Sequence, residues 1–228
     1  MRALRDDPVI ARAAPFLLFV GFLLLGSALP TVSSVLGIEL DKSWLVVARG
    51  AVVGLVLLWL WPSYSELRQP AATRRSDWVL GMAIGTAIFI AWTVIDQDWA
   101  VLSRSAGYRP LHADGSVNWV QGFARLAGFA LVIPVMEELF WRSLVLRWIA
   151  RHDFQSVAPQ NVGWRAFAIT TALFAVEHDR WFAGALAGAA YNWLYMRSGN
   201  LWVPIVAHVV TNGILGFWVL MTGRWEFW

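Results

Sequence analysis

Cysteine is absent from all 228 residues, so the chain has no disulfide framework, no thiolate metal site and no cysteine nucleophile. Charge is scarce as well: 14% of residues are Asp, Glu, Lys or Arg, against roughly 25% in an ordinary soluble domain, while 58% are apolar. A single water-soluble core cannot hide that much apolar surface. Long hydrophilic stretches are missing too, since Asp96 to Asn118 and Arg151 to Trp164 are too short to form domains, and there is no internal repeat or low-complexity tract. The formal charge of +3 comes from basic residues scattered between apolar blocks, a distribution that argues against a nucleic-acid partner.

What is present is apolar sequence in blocks of about twenty residues, the length at which a helix rising 1.5 Å per residue crosses roughly 30 Å of hydrocarbon. The blocks lie near 15–36, 44–61, 78–95, 119–136, 166–178, 181–196 and 201–221. They predict an all-α, polytopic transmembrane bundle of seven to eight spans in one membrane domain, 1–228, with the lipid bilayer as solvent. The fifth block is short for a crossing, and the fourth can continue as helix through Ile149. Sixteen tryptophans, among them Trp44, Trp61, Trp78, Trp99, Trp119 and Trp202, flank the blocks where an interfacial aromatic belt belongs.

Arg2, Arg5 and Arg12 precede the first apolar run as in a signal peptide, but that run is long and more spans follow, so it reads as a retained helix. With a cytoplasmic N-terminus, the cytoplasmic segments carry Arg2, Arg5, Arg12, Arg68, Arg74, Arg75, Arg142, Arg147, Arg151, Arg165 and Arg197. The other side carries Lys42, Arg104, Arg109, Arg180 and Arg224, leaving Arg49 and Arg125 inside spans. The positive-inside rule favours this orientation.

Ionisable groups inside membrane helices cost about 2.5 to 3.5 kcal/mol each on insertion scales, so those that persist are candidates for function. They concentrate in three places. In Met136-Glu137-Glu138-Leu139-Phe140-Trp141-Arg142, Glu138 and Arg142 are four residues apart on one helix face and suit an ion pair with a structural role. Glu137 points about 100° away from that pair and is left free to act as a base. In Phe174-Ala175-Val176-Glu177-His178 an apolar helix ends in a histidine one turn from an aromatic that can fix the imidazole by packing. In His208-Val209-Val210-Thr211-Asn212 the spacing puts an imidazole and a carboxamide on one face, both able to donate to one small oxyanion. By helical rise from the cytoplasmic ends, Glu137 falls near the inner face, His208 roughly 10 Å deep and His178 roughly 18 Å deep. A kink at Pro134 lets them share a cavity open to the cytoplasm. Taken singly, each cluster also fits a helix-to-helix hydrogen bond or a solvated span end.

Together and in this order, Glu137-Glu138-x-x-x-Arg142, Phe174-x-x-x-His178 and His208-x-x-x-Asn212 resemble the three motifs of the CAAX protease and bacteriocin-processing family of intramembrane proteases. The likeness spans Gly128 to Gly213 and includes the run from Ser198 through Trp202 and Pro204 to His208. Ser143 stands where the family often has glycine, and the N-terminal half carries no matching motif. Length and tryptophan content look somewhat like the group associated with bacterial exosortase systems.

The resemblance implies a helical membrane fold, residence in a bacterial inner membrane, and cleavage of a membrane-associated peptide or protein substrate. It implies that Glu137 and His178 activate the attacking water, that His208 and Asn212 bind the oxyanion, and that Glu138, Arg142 and Phe174 support them. The cofactor is none or zinc: Glu137, His178 and His208 could hold the metal with a water position open, or glutamate and histidine could work as a metal-free base pair. His-Glu-x-x-His is absent, as are the Gly-x-Gly-Asp of aspartyl and the Gly-x-Ser of rhomboid-like intramembrane proteases. Two other classes use the same residues. One is a non-catalytic membrane binder, such as an immunity protein that holds a peptide toxin in the cavity. The other is a small transporter with a proton relay, which the lack of a repeat disfavours.

Overall fold

The computed structural model describes residues 5–36 and 43–228; Arg2 and Lys42, counted in the charge asymmetry, lie outside the described residues. Each apolar block is a helix: α1 (Pro8–Leu36), α2 (Ser43–Leu60), α3 (Arg75–Val94), α4 (119–150), α5 (Trp164–Val176), α6 (Trp181–Ser198) and α7 (Trp202–Thr222). There is no strand among the described residues, only an isolated bridge between Leu111 and Val117 in the α3–α4 connection. Helix α1 starts before the expected position 15 because Asp7-Pro8 is a complete start signal. The Asp7 carboxylate accepts from the N–H groups of Val9 (2.8 Å) and Ile10 (3.1 Å), and Pro8 occupies the first turn, where its missing N–H costs nothing.

Four described segments are long and apolar enough to cross a membrane: Pro8–Leu29, Trp44–Ser63, Arg75–Val94 and Trp202–Thr222. In the first three, 22 to 28% of the residues are buried, and leucines such as Leu17, Leu24, Leu55 and Leu58 face outward into what must be lipid. Helix α7 is the exception at 61% buried, which makes it the axis of the bundle. Its polar residues His208, Thr211 and Asn212 are thereby placed in the interior.

Close backbone approach makes this packing possible. A Cβ on Gly85 of α3 would lie 2.2 Å from the Ala207 carbonyl of α7, so only glycine fits there. Across that contact Thr211 Oγ1 sits 2.8 Å from the Gly85 carbonyl and 2.7 Å from the Tyr191 hydroxyl of α6.

Helix α4 is the irregular element. Asn118 caps it by accepting from the Gln121 N–H at 3.1 Å, and two π-helical stretches, Gly128–Val132 and Glu138–Val145, interrupt the α-helical ladder. The first precedes Pro134, whose ring lacks an N–H and crowds the carbonyl one turn back; widening the turn relieves both without ending the helix. The helix therefore runs on to Ala150.

The end of the bundle that holds the N-terminus of α1 is tied by a buried polar cluster. Arg12 of α1, 1% exposed, pairs with Glu66 at 2.5 Å and donates to Ser143 Oγ of α4 at 3.1 Å, while the Ser143 hydroxyl also contacts the Glu66 carboxylate. Ser143, the departure from the family pattern, is thus an anchor for α1. Arg12 is correspondingly an interior residue and not a free charge at the membrane face. Arg147 is buried as well, donating to the carbonyls of Val157 (2.9 Å) and Gln155 (3.1 Å) and fixing the 151–163 connection.

Candidate active site

Four helices contribute to the site. The second π stretch of α4 carries Glu138 and Arg142, both fully buried, with Arg142 Nε 3.2 Å from Glu138 Oε2. The predicted ion pair therefore exists, and it has a further partner that sequence spacing did not reveal. His208 Nδ1 of α7 lies 2.9 Å from Glu138 Oε1. One carboxylate thus bridges a guanidinium and an imidazole. The Arg142 guanidinium stacks over Phe174 (4.3 Å) and Tyr191 (5.4 Å), and Tyr191 in turn stacks on the His208 ring at 5.0 Å.

Glu137, one residue earlier, points away from that pair. Its Oε2 is buried without a hydrogen-bond partner and stands 4.0 Å from His208 Nε2, beyond hydrogen-bond reach. His178 sits in the turn after α5. Its Nδ1 is 2.8 Å from the Phe174 carbonyl, which can only accept, so Nδ1 carries the proton and Nε2 offers a lone pair. The ring packs on Phe174 (4.6 Å) and edge-on against Trp92 (5.4 Å). Two glycines of α6 allow this: a Cβ on Gly184 would be 3.2 Å from His178 Cβ, and one on Gly188 would be 3.2 Å from the Phe174 ring. Asn212, one turn beyond His208, donates from Nδ2 to the Phe129 carbonyl at 2.9 Å, which leaves its second amide hydrogen uncommitted.

All four candidate residues, Glu137, His178, His208 and Asn212, line one cavity of about 330 Å³, together with Glu177, Tyr191 and Thr211. Glu177 is a member that sequence reasoning passed over. It is held by Trp141 Nε1 at 2.9 Å, and its adjacency to His178 was the available signal. Among the described residues no three His, Asp or Glu side chains are grouped so as to hold a metal ion. The histidine Nδ1 atoms are already engaged, one by Glu138 and one by the Phe174 carbonyl.

The cavity does not open where helical rise from the block boundaries put it. Its lining reaches the exposed Ser105, Asp179 and Glu226, which lie in the α3–α4, α5–α6 and post-α7 segments. Those segments are at the end of the bundle opposite the N-terminus of α1. The reason is the length of α4. Because the helix continues to Ala150, Glu137 is about 20 Å from that helix end at 1.5 Å per residue, in the middle of the bundle.

Residues 119–214 match the family described as Rce1-like, type II CAAX prenyl endopeptidase. No curated protein and no solved structure matches the chain. The match begins with the first residue of α4 and ends two residues after Asn212, so it takes in all three motifs and leaves out α1 to α3. Over residues 119–214 this integral membrane protein is thus similar to the CAAX prenyl endopeptidases of the Rce1-like family.

Proposed function

We propose that this chain hydrolyses a peptide bond of a membrane-associated peptide or protein, with Glu137 and His178 activating water and His208 with Asn212 receiving the oxyanion. The observation that carries the reading is the Glu137 carboxylate oxygen, buried in the cavity wall without a partner and 4.0 Å from His208 Nε2. A desolvated carboxylate with nothing to bond is primed to take a proton. In the reaction a water attacks the scissile carbonyl carbon while Glu137 or the Nε2 lone pair of His178 removes its proton. The oxyanion then collapses, the C–N bond breaks, and the same group returns the proton to the leaving amine.

The Glu138 contact sets a condition on His208. A carboxylate accepts from Nδ1–H, so Nε2 can donate to an oxyanion only when the ring carries both protons. Glu138, shared between Arg142 and His208, supplies the negative charge that such an imidazolium needs. Asn212 adds the second donor, its amide plane fixed by the Phe129 carbonyl.

In the metal-free form of this reading, Glu137 and His178 act together as the base that activates water. The proposed orientation has the N-terminus in the cytoplasm. Setting aside the buried Arg12, Arg142, Arg147 and Arg180, the basic residues still favour the N-terminal end of the bundle. Substituting Glu137, His178 or His208 by alanine is expected to abolish cleavage of a reconstituted membrane peptide while insertion stays intact. Retained cleavage in any of the three contradicts its assigned role.

A further inference from the structure

Among the described residues, the arginines that lie in the interior wholly or in part are, with two exceptions, matched by an acceptor. Arg12 has Glu66, Arg142 has Glu138, Arg180 has Asp96, and Arg147 has two carbonyls. The exceptions are Arg49 of α2 and Arg125 of α4, which form no ion pair and no hydrogen bond with any described residue. Arg49 is 8% exposed and lies over the Phe19 ring at 4.4 Å. Arg125 is surrounded by the rings of Phe129 (5.4 Å), Trp228 (5.7 Å) and Tyr108 (6.0 Å), and its Nε is buried without a partner.

Both side chains line the cavity that contains Glu137, His178 and His208. They also lie beside each other. Helices α2 and α4 touch at Gly50 and Gly128, one residue from Arg49 and three from Arg125, where a Cβ on Gly50 would be 3.3 Å from the Gly128 Cα. Each stands six residues inside its helix, roughly 9 Å from the end at which the cavity opens.

Aromatic faces offset only part of the cost of two like charges in a wall this dry. What completes such a pair is a planar anion that both forks can grip. The carboxylates of the cavity, Glu137, Glu177, Asp179 and Glu226, make no ion pair with either arginine. The geometry points to an anion-binding subsite, built by Arg49 and Arg125 between the cavity mouth and the reactive centre, that grips a carboxylate carried by the peptide to be cut. This deepens the peptidase reading and rests on it for the identity of the occupant. Twelve residues of α4 separate Arg125 from Glu137, about 18 Å of helix, which an extended peptide covers in about five residues. The gripped carboxylate is thus placed a few residues from the scissile bond, on the mouth side.

The test uses the full chain in phosphatidylcholine bilayers and a set of fluorescent apolar heptapeptides. Each carries one carboxylate, as an aspartate or as a free terminus, and is matched by its neutral amide. Binding is read on both the wild type and Glu137→Gln, so the subsite is measured whether or not any peptide is cut. Failure of cleavage alone then counts against the peptidase reading and not against the subsite. At least one acidic peptide is expected to bind about tenfold more tightly than its amide. Arg49→Gln and Arg125→Gln should each erase the difference, and Arg125→Lys, which keeps the charge, should retain part of it where a folding defect would not. Equal binding of every acid and amide pair overturns the proposal. So does a preference unchanged in both glutamine variants. A preference that disappears when phosphatidylglycerol is added assigns the subsite to a lipid headgroup and overturns the substrate assignment.

Discussion

Glu138 links the first and third motifs at atomic range, holding Arg142 at 3.2 Å and His208 at 2.9 Å. Its adjacent carboxylate, Glu137, remains uncommitted on Oε2. In the proposed mechanism the two neighbouring glutamates divide the work: one positions a histidine and the other takes a proton. Glu138→Gln removes the carboxylate charge that holds His208 Nδ1, and in the proposed mechanism kcat is expected to fall by about 10²-fold or more with little change in KM. Asn212→Ala removes one oxyanion donor and should cost about 10² to 10³ in kcat. Steady-state kinetics on one reconstituted peptide substrate checks both, and an unchanged kcat in either variant contradicts the role given to that residue.

At the scale of elements, the π stretches of α4 and the glycines of α6 set where the reactive groups lie. Gly188→Ala puts a methyl 3.2 Å from the Phe174 ring, the residue that carries both the His178 contact and the Arg142 stack. A loss of about 1 to 3 kcal/mol in stability is expected, with a larger proportional loss of activity, measured by thermal unfolding in detergent and by turnover. Outside the spans, Asp96 joins the end of α3 to Arg180 and Arg104. Its partial burial opposes ionisation, but the hydrogen bonds from Arg180 and Arg104 outweigh it and hold the carboxyl below its ordinary value. A carboxyl lowered on folding stabilises the folded state above the ordinary carboxylate range, and that contribution disappears as pH falls through its folded value. The melting temperature should therefore drop more between about pH 7 and about pH 3 for the wild type than for Asp96→Asn. Equal drops contradict the assignment.

Much of this arrangement was legible in the sequence. Apolar blocks gave the helices because backbone groups in lipid have to be satisfied within a segment, and the Glu138–Arg142 pair followed from i, i+4 spacing. The His208–Glu138 contact was not legible, because it joins α7 to α4 across seventy residues, and only packing decides which faces meet. The depth of Glu137 was misjudged because it was counted from the end of the apolar block near 136, whereas α4 runs on as helix to Ala150, a widened turn absorbing Pro134.

For the whole molecule, the cavity opens at the end of the bundle opposite the N-terminus, at Ser105, Asp179 and Glu226. With the N-terminus in the cytoplasm, substrate reaches the site from the non-cytoplasmic face. The lack of cysteine makes this directly testable. A single cysteine at Ser105 should react with a membrane-impermeant thiol reagent added outside intact cells, and one at Arg151 should react only after the membrane is opened. The reverse pattern inverts the orientation.

The central claim is that Glu137 activates water for peptide-bond cleavage without a metal, and the most direct measurement is cleavage of a membrane peptide library by purified wild type and Glu137→Gln, each with and without a zinc chelator. Products are expected from the wild type alone, in equal yield with and without chelator. Cleavage by Glu137→Gln at the wild-type rate, or loss of wild-type cleavage on chelation that added zinc restores, would contradict it.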